Sequence, residues 1–181
     1  VNLSHPAGKL IKRWPLYRTI SQLPLIIRVP GGPKGKKRRG FCQPADFMPT
    51  ILDFAGAPIP QSVQGISLKP SLYDNRVKTR PCAISTTTYI RDTLVRSPSA
   101  FRTKNFLYIY GGDEWPSELY DLRKDPYEEQ NIFASEQQTA RKLHRQYLEF
   151  LKKINSPREC IEGRKEFNPA PRPVPEGGPL I

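Results

Sequence analysis

The sequence predicts an α/β segment over residues 1–78, then a small α+β subdomain over 79–155 in which an antiparallel sheet is covered by a helix. Three observations carry this. Leu23–Val29 is a nearly continuous apolar run that ends at the turn-forming Pro30-Gly31-Gly32-Pro33. From Cys82 to Tyr110 the chain is rich in β-branched and aromatic residues. Between Ser135 and Ile154, Leu143, Tyr147, Phe150, Leu151 and Ile154 recur at helical spacing.

An unbroken apolar run such as Leu23–Val29 fits a strand buried on both faces, because a half-exposed hairpin strand would alternate with polar residues. Asp46–Gly56 then reads as a short helix. Asp46 can cap its first turn and Pro49 is tolerated early, where N–H groups lack internal acceptors. Phe47, Ile51 and Phe54 share one face, and Gly56 is a natural stop. Ser67–Tyr73 adds one more helical turn. Strands are expected near 82–89, 92–96, 99–103 and 105–110, with a short further strand at Glu118–Asp121. The helix over 135–154 carries Arg141, Lys142, Arg145, Lys152 and Lys153 on its outer face and stops at Asn155-Ser156-Pro157; His144, set among these charges, is expected at the surface. Residues 156–181 form a Pro/Gly-rich tail.

The chain carries a net charge of +12, which favours polyanions, and five of its cations cluster at Lys34, Lys36, Lys37, Arg38 and Arg39. The bland alternative is a solvated loop. No zinc-finger spacing and no aromatic RNA-binding motif supports a specific nucleic-acid reader. The three cysteines, Cys42, Cys82 and Cys160, make neither a disulfide framework nor a zinc site, so the redox compartment stays open. No apolar run is long enough for a membrane span. The chain opens on Val1 directly into its first motif, and the expectation is that it begins within a longer protein.

Four stretches, in this order, resemble sulfatases of the alkaline-phosphatase superfamily. The first is Trp14-Pro15-Leu16-Tyr17 followed by Leu23-Pro24-Leu25-Ile26-Ile27-Arg28-Val29-Pro30-Gly31. The second, and most specific, is the helix Asp46-Phe47-Met48-Pro49-Thr50-Ile51-Leu52-Asp53-Phe54-Ala55-Gly56, which matches the family's D-x-x-P-T-x-L-D-x-A-G. The third is Gly65-Ile66-Ser67-Leu68. The fourth couples Arg102-Thr103 and Leu107-Tyr108-Ile109 to Glu118-Leu119-Tyr120-Asp121-Leu122, Asp125-Pro126, Glu128 and Asn131. Together they span roughly residues 5 to 154 and identify the chain as the C-terminal portion of an arylsulfatase or N-sulfoglucosamine sulfohydrolase-like fold.

The resemblance implies an enzyme that hydrolyses sulfate esters or sulfamates, with calcium and a formylglycine nucleophile in the parent family and neither expected to be held by this chain alone. It implies a sulfated small molecule or glycan as substrate, a further N-terminal sulfatase half as partner, and a compartment that in the family is often periplasmic, extracellular or lysosomal. Cys42-Gln43-Pro44-Ala45-Asp46 imitates the formylglycine motif but has Asp46 where arginine is required, so Cys42 is read as a core or strand-end thiol. The catalytic residues the resemblance offers are Lys12 and His5, with Lys9 as the alternative to Lys12. Lys12 fits by its distance to Tyr17, Lys9 by the preceding Gly8; an ordinary surface charge is the plain alternative for each. The sibling readings are a phosphodiesterase or phosphonate hydrolase of the same superfamily, and a non-catalytic basic fragment that binds polyanions.

Overall fold

The structure, a computed structural model, describes residues 16–86, 96–113 and 115–169. It is of α/β class and divides into two units, one formed by residues 1–23 with 84–181 and the other by Pro24–Ala83.

The first unit is built on an antiparallel sheet with strands in the order β1 (Cys82–Thr86), β2 (Ser99–Thr103), β3 (Phe106–Tyr110) and β4 (Glu118–Asp121); the division between the units falls inside β1. A two-residue turn, Lys104-Asn105, joins β2 to β3, and Thr103 fixes it: its hydroxyl donates to the Phe106 carbonyl and accepts the Phe106 N–H, both at 3.1 Å. The register places Phe101 opposite Tyr108 and Leu107 opposite Tyr120. Side chains alternate between faces along a strand, and here both faces of β3 are covered. Leu107 and Ile109 pack with Ala100, Tyr120, Leu16 and Tyr17. Tyr108 and Tyr110 point the other way, to the helix α4 (Gln137–Lys153), where Tyr110 stacks on His144 at 5.8 Å between ring centroids and Phe101 meets Tyr147 at 6.0 Å. β3 is therefore aromatic on one face and aliphatic on the other.

α4 is stopped by Asn155, two residues past its end, whose φ of 52° is left-handed. Within the stretch read as a tail, Pro157 opens a further helix, α5 (Arg158–Gly163). The chain then returns over α4. Arg164 is buried and donates to the Ser97 hydroxyl at 2.9 Å, Tyr110 donates to the Gly163 carbonyl at 3.3 Å, and Phe167 stacks on Phe133. A short helix, α1 (Arg18–Ser21), precedes all of this in sequence. The strand expected at 92–96 falls outside the described residues except at Arg96, which lies in a turn.

In the second unit, a 3₁₀ turn at Pro44–Asp46 leads into α2 (Phe47–Phe54), followed by α3 (Lys69–Tyr73). α2 ends as expected at Gly56, which has φ 67° and donates to the Asp53 carbonyl. Three expectations are corrected here. Leu23–Val29 forms no strand, and all of it but the half-buried Val29 is exposed, Leu23 by 77% and Ile26 by 91%. A strand buried on both faces needs neighbours on both sides, and among the described residues none flanks this run. The expected apolar face of α2 is open too, since Phe47 and Ile51 are exposed and the buried positions are Pro49 and Thr50. Asp46 does not cap α2; its carboxylate turns back to accept the Gln43 N–H at 2.9 Å.

Candidate functional site

His5, Lys9 and Lys12 lie outside the described residues, which begin at Leu16. What the structure defines is the anchor that follows them. Leu16 and Tyr17 are buried in the aliphatic face of the sheet. The Tyr17 hydroxyl donates to Glu118 at 2.7 Å, Tyr120 donates to the same carboxylate oxygen at 2.7 Å, and the Tyr17 and Tyr120 rings meet edge to face at 6.4 Å. Glu118 is thus a buried acceptor that gathers two phenols, and a charged acceptor makes each such bond about twice as strong as a neutral one.

Arg18 continues the clamp. Its backbone N–H donates to Glu128 at 2.9 Å, its guanidinium donates to the Pro126 carbonyl at 2.7 Å, and it lies 5.2 Å over the Tyr127 ring. The other oxygen of Glu128 pairs with Arg102 of β2. Asn131 accepts the N–H groups of Leu119 and Phe133 at 3.0 Å each, and Asp125 accepts those of Glu129 and Gln130. Every polar residue of the Glu118–Asn131 motif noted in the sequence is therefore used to knit the loop after β4 to itself, to β2, or to the Tyr17 segment. Glu118 and Glu128 were not singled out as site residues in the sequence; their place in that motif was the signal.

The second unit has its own hub. Asp46 is completely buried, and its carboxylate accepts the Ile66 N–H at 2.9 Å and the Gln43 N–H while pairing with Arg80 through both oxygens, with Nε at 2.9 and 2.8 Å. Burial pushes this carboxyl up, but the Arg80 guanidinium and the two N–H groups together outweigh it and hold the group below the usual carboxylate range. The Thr50 hydroxyl donates to the Asp46 carbonyl and accepts the Leu68 N–H, and Asp53 binds Ser67 and Lys69. Gly65 is required by close approach, because a Cβ there would sit 1.8 Å from the Ala45 carbonyl oxygen. The polar residues of the D-x-x-P-T helix are thus committed to holding the 64–69 loop.

Burial pushes the Cys42 thiol up, the Asp46 charge adds to this, and Arg80 opposes it, so the thiolate is disfavoured, in keeping with a structural thiol. His144 is a correction. It is 4% exposed, with Nδ1 3.1 Å from the Tyr108 hydroxyl and Nε2 3.3 Å from the Lys165 carbonyl. It lies three residues before Tyr147 and so shares the inner face of α4; burial lowers its pKa, partly offset by the Lys165 carbonyl. Among the described residues no group of three or more His, Cys, Asp or Glu could hold a metal ion.

The family model of the N-sulphoglucosamine sulphohydrolase C-terminal region matches residues 8–155. An N-acetylglucosamine-6-O-sulfatase of Bacteroides thetaiotaomicron is 37% identical over 128 residues, covering 66% of this chain and 22% of its own length. The structure of BT4656 in complex with its substrate D-glucosamine-2-N,6-O-disulfate superposes with a TM-score of 0.52 at 34% identity, over 67% of this chain and 25% of that one. A phosphonate monoester hydrolase from Silicibacter pomeroyi gives 0.57 at 25% identity, over 70% and 28%. The chain thus spans less than a third of the length of each protein it resembles.

Proposed function

The chain belongs to the N-sulphoglucosamine sulphohydrolase C-terminal family, and from that premise we propose that it forms the C-terminal portion of an enzyme that hydrolyses sulfate esters or sulfamates of sugars. The observation that supports this best is the Tyr17–Glu118 clamp. It ties Leu16 and Tyr17, four and five residues after Lys12 in the sequence, to the sheet.

Breaking a sulfate ester moves negative charge onto the bridging oxygen and the sulfuryl oxygens. A lysine ammonium placed beside them stabilises that charge without having to move, and a neighbouring histidine can hand its proton to the departing oxygen. We assign the first role to Lys12 and the second to His5. Formylglycine and calcium, which the family implies for the full enzyme, would supply the nucleophile and orient the sulfate. The described residues fit neither, since no group of three or more His, Cys, Asp or Glu among them could hold a metal ion and Cys42 lies in a motif interrupted by Asp46. No step is assigned to this chain through them.

The test is turnover by the full-length enzyme. Lys12→Ala should lower kcat/KM for an aryl sulfate by about a hundredfold, as expected for loss of one charge-stabilising group, with the melting temperature unchanged. Lys9→Ala should do far less. Small, equal effects from the two variants overturn the Lys12 assignment. The phosphonate hydrolase likeness favours a second reading; a kcat/KM for a phosphonate monoester above that for the matched sulfate would establish it.

A further inference from the structure

We propose that the loop Lys34–Arg39 is a docking arm for sulfated glycan chains, separate in its chemistry from the residues that cleave the ester. In the unit Pro24–Ala83 there are ten basic residues and three acidic ones. Each of the three acids is paired with a cation outside this loop: Asp46 with Arg80, Asp53 with Lys69, and Asp74 with Arg76. Of the loop's five cations only Arg38 also acts on one of these acids, Asp74, which leaves the charges of Lys34, Lys36, Lys37 and Arg39 without an acidic partner in their unit. Lys34, Lys36, Lys37 and Arg39 are all exposed, and no hydrogen bond or ion pair among the described residues engages them.

Arg38 alone is used internally. Its Nε donates to the Ser71 carbonyl at 2.8 Å and its terminal nitrogen to the Leu72 carbonyl, which pins the loop to the end of α3. At the far end, Phe41 bridges antiparallel to Arg80. The four free cations thus flank a fixed point rather than trailing from a loose tether. A solvated loop needs no such pin. An arm that presents charge to a ligand gains from it, because the ordering cost is met before binding.

From Lys34 to Arg39 the chain spans at most about 17 Å when extended, enough to meet more than one anionic group on a polymer at once. Sulfate esters stay ionised across physiological pH, so cations with no titrating partner suit them. No aromatic residue lies between Arg18 and Gly40 to stack on a base. The choice of a sulfated chain over a phosphorylated one rests on the sulfate-ester reading above.

The experiment uses the 181-residue chain and immobilised heparin as the sulfated glycan. One variant carries Lys34→Gln, Lys36→Gln, Lys37→Gln and Arg39→Gln, leaving Arg38 in place. The other removes equal charge from the exposed face of α4 through Lys142→Gln, Arg145→Gln, Lys152→Gln and Lys153→Gln. Circular dichroism confirms that each is folded. The loop variant should lose on the order of tenfold in affinity at about 0.1 M salt and show a shallower salt dependence, and the α4 variant much less. Equal losses from both variants would mean diffuse attraction by net charge and would overturn the proposal. So would no loss from the loop variant, or duplex DNA binding as tightly as heparin. Because nothing here requires turnover, failure of the parent enzyme to cleave sulfate esters would remove the activity while leaving the heparin result to stand by itself.

Discussion

Replacing Asp46 with alanine should open the 41–80 region without disturbing the antiparallel sheet. The wild-type carboxylate pairs with Arg80 and accepts two backbone N–H groups, from Gln43 and Ile66, at 2.9 Å each. Without it, Arg80 keeps the Gln64 carbonyl at 3.2 Å among the described residues, while its side chain is 12% exposed. Removing one partner of a buried pair costs about 3–5 kcal/mol, because the surviving charge stays desolvated. Gln43 and Ile66 are not fully buried, so water can replace part of what their N–H groups lose, and about 4 kcal/mol is a fair expectation. At 1.36 kcal/mol per tenfold, that is roughly a thousandfold rise in the open population. Hydrogen exchange read by mass spectrometry reports it directly: peptides within 41–80 should lose protection, and those within 99–121 should keep theirs. Asp46→Ala with Arg80→Leu should recover part of the loss, since no unpaired charge remains. The acid limb offers a second readout. Asp46 titrates below its unfolded value of about 3.9, so its contribution is complete above that pH and is lost as pH falls through the folded pKa. The wild type should therefore lose stability in acid more steeply than Asp46→Ala. A loss under about 1 kcal/mol, or a double variant no better than the single one, would show that the pair does not hold this unit together.

Two further outcomes can be checked by melting. Gly65→Ala forces a Cβ to within 1.8 Å of the Ala45 carbonyl oxygen, so the backbone must move, and a cost of about 1–3 kcal/mol is expected; an unchanged melting temperature would show that the 64–69 loop shifts freely. His144 should make the α4–sheet packing acid-sensitive: burial lowers its pKa, so stability is complete above its unfolded value of 6.5 and is lost as pH falls through the folded pKa. His144→Gln should flatten the melting temperature between pH 7 and about 5, and a slope identical to wild type would place the acid sensitivity elsewhere.

Features set by local chemistry were legible in the sequence. β2, β3, β4 and α4 follow from alternation, helical spacing and turn residues, and Gly56 ends α2 for the reason its position suggests. Features that depend on neighbours were not. Leu23–Val29 has the composition of a central strand, but composition does not provide the strands on either side. His144 was masked by charges at adjacent positions, although its spacing to Tyr147 pointed inward. The return of 158–169 over α4 was hidden by proline-rich composition, which says nothing about what Arg164 and Phe167 can grip. Of the site, the motif letters were readable as a pattern, but that Glu118 and Glu128 clamp the Tyr17 segment required the fold.

The clamp also sets an order of events in biosynthesis. Tyr17 and Glu118 are 101 residues apart, and at about 5–20 residues per second the ribosome needs roughly 5–20 s to produce the second after the first. Throughout that interval the face that buries Leu16 and Tyr17 lacks Tyr120, and the Tyr17 hydroxyl lacks its acceptor. The closure is a long-range contact of the kind that slows folding. A nascent chain stalled or cut before β4 would lack this anchor however well its upstream part had folded. A premature stop codon anywhere between Tyr17 and Glu118 should therefore leave Leu16 and Tyr17 without the contacts that bury them.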